Sequence, residues 1–168
     1  GRKSWLVMQL CPSVVSGTPF LGMKVRKGAA LYLALEDSLE RLQRRVLSMA
    51  DDYPESLSFA VSSSCIGDDL LDELGCFMYD HPDTRLIVID TFQKIRGEVS
   101  QMSYANDYSE VSWLKSLADK LHTCILLVHH TRKLGDGDAF NEISGTNGIA
   151  GSADTLMVLK KEKRTDRK

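Results

Sequence analysis

The chain has 168 residues, 43% of them hydrophobic and 26% charged, and a formal net charge of −2. That size and balance suit one globular domain with a substantial core. They exclude a polycation that would hold nucleic acid through its overall field, so any such contact needs a local patch or loop. No apolar run approaches the roughly 20 residues of a membrane-crossing helix, and the N-terminus lacks the basic, apolar and small-residue order of a secretory leader. Cys11, Cys65, Cys76 and Cys124 stand without CxxC spacing, and no histidine lies at ligand spacing from a cysteine pair. Cys11 and Cys124 sit in apolar runs and are expected to be buried. The expectation is a reduced, cytoplasmic protein without a disulfide framework or zinc site.

Apolar runs with strand character alternate with stretches of helical period. Ser4 opens an apolar helix near the start, and Ala29–Leu35 (AALYLAL) follows as a buried strand. Ser38 is a natural N-cap for a helix that would align Leu39, Leu42, Val46 and Leu47. Leu57–Val61 reads as a strand, and Asp68 or Asp69 opens a helix carrying Leu70, Leu74, Phe77 and Met78. Arg85–Asp90 (RLIVID) is a strongly apolar strand, followed by a polar loop over Gly97–Asp107. A helix then aligns Val111, Leu114, Ala118 and Leu121 ahead of the strand Cys124–Val128. Thr155–Leu159 reads as the last strand, and Lys160–Lys168 as a charged end. Continuously apolar strands separated by helices predict an α/β, doubly wound, mainly parallel sheet covered on both faces. Such a fold normally opens on a strand. The expected organisation is therefore a single core over residues 1–168, incomplete at both ends, with the first strand and most of its phosphate loop outside the chain.

Open α/β sheets bind ligands at the carboxyl ends of their strands. The residues at those positions are Glu36 and Asp37, then Asp90 and Thr91, then His129, His130 and Thr131, with Lys3 and Ser4 ahead of the first helix. Lys3-Ser4 matches the end of the phosphate-loop pattern G-x-x-x-x-G-K-[ST], whose lysine reaches phosphate and whose hydroxyl ligates Mg2+. Arg2 stands where that pattern has glycine, and a bulky side chain there opposes a glycine-type turn. Asp90 closes its strand as a magnesium-holding acid does, or is a plain strand-ending acid. Glu36 can activate an attacking water, or cap the helix together with Asp37. His129 or His130 can sense a terminal phosphate, or simply cap and pack a strand end. Adjacent strand residues point to opposite faces, which argues against a shared metal.

The runs GRKSWLVMQLC, LYLALED, RLIVIDTFQKIRG, ILLVHHTRK and ISGTNGIAGSADTLMVL resemble the successive motifs of RepA-like ATPases of plasmids, phages and mobile elements. These belong to the RecA/DnaB superfamily, and the resemblance spans nearly the whole chain. It implies a RecA-like fold and an ATP- and Mg2+-dependent helicase motor working as a homo-oligomeric ring, commonly a hexamer, on single-stranded DNA. By position it implies catalytic Glu36, with His129 and His130 as sensors. Lys3, Ser4 and Asp90 would bind the nucleotide, with Ser4 and Asp90 holding Mg2+. DNA loops would fall at Gly97–Asp107 and Lys133–Glu142, and a finger toward the neighbouring subunit among Lys160, Lys161, Lys163 and Arg164. Three functions remain open: a helicase, a recombinase or loader using ATP as an assembly switch, and a non-hydrolysing assembly module. The segment SGTNGIAGSADT also reads as a tightly packed connector of small residues, with Asp154 ordering the approach to the last strand.

Overall fold

The computed structural model describes residues 2–49, 54–96, 104–130 and 148–159. The chain runs α1 (Arg2–Ser16), β1 (Ala29–Ala34), α2 (Leu39–Leu47), β2 (Leu57–Ala60), α3 (Leu70–Asp80), β3 (Thr84–Asp90), a one-turn 3₁₀ helix (Phe92–Ile95), α4 (Tyr104–Leu121), β4 (Cys124–Val128) and α5 (Gly148–Ser152). The four strands form one sheet in the order β2-β1-β3-β4, and every pairing is parallel. This is an α/β, RecA-like arrangement.

Alternate residues of each strand face opposite sides of a sheet, so apolar strands supply two cores at once. On one side Ala30, Tyr32, Leu86, Val88 and Val128 pack against Met8, Cys11 and Val15 of α1 and Leu42 of α2. On the other, Leu31, Leu33, Ile87 and Ile89 meet Leu70, Leu74 and Met78 of α3, Val111 and Leu114 of α4, and Ile149 of α5. The α3 stripe is the one expected from sequence, and in α4 Val111, Leu114 and Leu121 pack as expected while Leu117, not Ala118, completes the stripe.

Two glycines are needed where they stand. Gly17 ends α1 with φ +74°, a left-handed turn that costs glycine nothing. Gly28 leads into β1 so close to its neighbour that a Cβ would lie 2.4 Å from the Asp83 carbonyl oxygen. Ser38 caps α2 as expected, accepting the Arg41 N–H at 3.3 Å.

Several expectations are corrected. Leu39 and Leu47 are 68% and 59% exposed. Leu47 stands about 100° around the helix from Val46, and Leu39 on the opening turn extends past the covered stretch, so only Leu42 and Val46 face the sheet. Cys124 is exposed at the start of β4, which lies at the end of the sheet among the described residues, whereas Cys11 is buried, its thiol pushed up to about 12 chiefly by burial. Thr155–Leu159 forms no strand. Strand composition is only half of a strand, because the ladder partner is supplied by tertiary structure. The end of the expected loop Gly97–Asp107 is instead the first turn of α4, which starts at Tyr104. Residues 97–103, the Lys133–Glu142 loop and Lys160–Arg164 lie outside the described residues.

Candidate functional site

All four strands are parallel, so their carboxyl ends share one rim, and the sequence-predicted residues collect there. The Leu35 N–H donates to the Asp90 carbonyl at 2.8 Å, continuing the β1–β3 ladder past Ala34, which is paired with Asp90. This register sets Glu36 beside Thr91, which follows Asp90 across a cis peptide bond. The helix α1 delivers its N-terminus to the same rim: Lys3 Nζ donates to the His129 carbonyl, just beyond β4, at 2.9 Å. Ser4 is buried on the first turn. Arg2 is exposed and helical, and is not among the positive-φ residues Leu21 and His122. The backbone at Arg2 is therefore not in a left-handed conformation.

The two principal acids are held differently from Asp37. Asp90 is buried, and its Oδ2 accepts the Tyr32 hydroxyl at 2.6 Å, within the range of charge-assisted O–H···O⁻ bonds. Burial, reinforced by the Asp90 carboxylate, drives the Tyr32 phenol well above its usual range, so it remains a proton donor. Glu36 Oε1 accepts the Thr91 hydroxyl at 2.9 Å, and Glu36 Oε2 lies 3.8 Å from His130 Nε2, an ionic contact only when that ring is protonated. Glu36 is thus turned toward β3 and β4 and away from helix capping, which Ser38 performs. Asp37 pairs with Arg45 of α2 at 2.6 Å and with Arg41 at 3.8 Å. Arg45 also lies over the Trp5 ring, 5.7 Å from its centroid, so Asp37 serves the α1–α2 packing.

The two histidines, just past the end of β4, face different neighbours. His130 is exposed toward Glu36, while His129 is half-buried with its ring edge-on to Phe92 at 6.0 Å. Burial lowers the His129 pKa; His130, Lys3 and Arg96 act in the same direction, and Asp107 opposes them. Its Nε2 is buried without a hydrogen-bond partner among the described residues. Beneath this corner Arg96 is enclosed by Asp107 at 2.6 Å and Glu110 at 2.7 Å, with Phe92 against its guanidinium.

Residues 2–136 match a family model described as an AAA domain. The chain belongs to that family. As an AAA domain it is a P-loop NTPase core, a family that generally uses ATP and Mg2+. No curated protein matches the chain. The residues of this AAA domain fit such a ligand. A lysine ammonium and a buried serine stand at a helix N-terminus, where phosphate is favoured. Acids close β1 and β3, and an orphaned imidazole nitrogen lies beyond β4. None of its described helices is long and apolar enough to cross a membrane.

Sequence reasoning singled out Lys3, Ser4, Glu36, Asp90, His129 and His130, but missed Tyr32 and the Arg96 cluster. It noted Thr91 only as a strand-end polar residue. One signal for Tyr32 was available: a hydroxyl in the otherwise aliphatic run AALYLAL needs a buried partner. Nothing comparable marked Arg96, because its acids lie 11 and 14 positions away on another element.

Proposed function

We propose that this chain is the ATP-hydrolysing motor domain of a RepA-like replicative DNA helicase, working as a homo-oligomeric ring on single-stranded DNA. The observation that carries the reading is the convergence on one rim of Lys3 with His129, Tyr32 with Asp90, and Thr91 and His130 with Glu36. In this reading Lys3 and the first turn of α1 bind the phosphates, and Ser4 and Asp90 hold Mg2+. The bound Mg2+ would offset the charge that develops on the phosphates. Glu36 orients the attacking water and takes its proton. His129 and His130, on the strand end that Lys3 also touches, sense whether the terminal phosphate is present.

Replicative helicase action is what the motif resemblance adds to the coarser family assignment. DNA contact falls to the loops after β3 and β4, since a net charge of −2 supplies no general attraction. The test is ATP turnover with and without single-stranded DNA, followed by displacement of a labelled strand. DNA-stimulated turnover with displacement is the expected result. Stimulated turnover without displacement would assign a recombinase or loader, and Mg2+-independent binding without turnover would assign an assembly module.

A further inference from the structure

Two hydroxyls cross between β1 and β3 in opposite directions. Tyr32, on β1, donates to Asp90 at the end of β3; Thr91, just past β3, donates to Glu36 just past β1. Each strand carries one acid and the hydroxyl that holds the other strand's acid. Resting on the nucleotide-site reading above, we propose that Tyr32 and Thr91 are positioning residues that fix which oxygen of each acid faces the ligand.

The chemistry of each side chain supports this role over packing. A hydroxyl has one proton, and each of these protons is committed to a carboxylate oxygen, Asp90 Oδ2 and Glu36 Oε1. Among the described residues Asp90 Oδ1 makes no hydrogen bond and is offered to a cation, while Glu36 Oε2, 3.8 Å from His130 Nε2, is the oxygen offered to a water. Tyr32 is fully buried among apolar residues, with the Phe59 ring 6.1 Å away, where phenylalanine would fill the same space without a polar atom to satisfy. Thr91 occupies the N-cap position of the 3₁₀ helix yet makes no side-chain cap bond there. Its hydroxyl is diverted from the local bond that threonine ordinarily makes at such a position to a residue 55 positions away. Thr91 is itself buried and β-branched, so few rotamers are open to it and the donated bond has a fixed direction. The ladder contact from Leu35 to the Asp90 carbonyl locks the two strand ends in register. A shift of either hydroxyl therefore tilts an acid without moving the backbone.

The experiment compares the full chain with Tyr32→Phe, Thr91→Val and Thr91→Ser, with Glu36→Gln and Asp90→Asn run alongside. Readouts are the Mg2+ half-saturation of ATP binding, the Mg2+-free ATP affinity, kcat, and the thermal midpoint as a fold control. Loss of a residue that orients a ligand-holding group typically lowers affinity or activity about 10- to 100-fold. Tyr32→Phe is expected to raise the Mg2+ half-saturation by about that factor while leaving Mg2+-free affinity unchanged. Thr91→Val is expected to lower kcat by a similar factor at unchanged ATP affinity, with Thr91→Ser restoring most of it. A purely structural role would move the thermal midpoint and every binding constant together, and serine would not selectively restore kcat. If Glu36→Gln and Asp90→Asn act while the hydroxyl variants match the parent, the positioning role is overturned and the nucleotide site stands. If those acid variants also match the parent, or the parent shows no Mg2+-linked ATP binding, the site reading itself fails and takes this inference with it. Should Tyr32→Phe fail to fold, the Thr91 pair alone decides, because valine and threonine are near-isosteric and differ chiefly in the hydroxyl.

Discussion

Arg96 and Asp107 form an ion pair at 2.6 Å in which both side chains are only 3% exposed. Glu110, one helical turn along α4, brings a second carboxylate to the same guanidinium. Together they tie the turn after β3 to the start of α4. A buried cation without its acids, or acids without their cation, is left with an uncompensated desolvation cost. Arg96→Met is therefore expected to destabilise the chain by roughly 3–5 kcal/mol, read as a shift of the denaturant midpoint. Replacing Arg96, Asp107 and Glu110 together by apolar residues should cost less than the single change, because no unpaired charge remains. A single variant as stable as the parent would show that water reaches the cluster.

Glu36→Gln keeps the shape of the side chain and its acceptor for the Thr91 hydroxyl but removes the base. ATP binding is expected to survive while turnover falls about 10²- to 10⁴-fold, the usual contribution of a positioned proton acceptor. Equilibrium binding of a fluorescent ATP analogue beside a phosphate-release assay checks both halves. Undiminished turnover would remove Glu36 from the chemistry.

Asp90→Asn removes the negative charge offered to a cation and keeps an oxygen able to accept from Tyr32. The Mg2+ requirement of ATP binding is expected to weaken, with a smaller effect on binding measured in chelator. A titration of ATP affinity against Mg2+ reports this directly, and an unchanged curve would argue against Asp90 as the metal acid.

His129 supplies a pH dependence whose sign is fixed by its burial. The folded-state pKa lies below the ordinary 6.5. As pH falls through 6.5 the unfolded chain takes up a proton that the folded chain refuses, so stability declines until the lowered pKa is passed. Above that window the ring is neutral in both states and contributes no slope. Denaturation midpoints between pH 7.5 and 5 should fall more for the parent than for His129→Asn. Equal slopes would mean that the ring is protonated without penalty.

Ser38→Ala removes the side-chain acceptor for the Arg41 N–H at the start of α2. The expected loss is about 1 kcal/mol, with Ser38→Asp close to the parent, since aspartate caps equally well. Thermal melting is sufficient to test it.

Hydrophobic spacing placed β1 to β4 and the helices between them, a mainly parallel sheet, and the rim on which Glu36, Asp90, His129 and His130 meet. These follow from local periodicity and from the rule that parallel strands direct all their carboxyl ends one way. The α2 cap at Ser38 and the packed stripe of α3 were legible for the same reason, because each depends on residues within a few positions of one another. Tertiary structure decided the rest. It separated Glu36 from Asp37, which are adjacent in sequence, by giving one to Thr91 and the other to Arg45. It left Thr155–Leu159 outside any strand of the described residues despite its strand composition, and turned the end of an expected loop into the helix that carries Asp107. It also joined Tyr32 to Asp90 across 58 positions. A side-chain hydrogen bond or ion pair depends on register and distance between strands, and those quantities exist only once the sheet has formed.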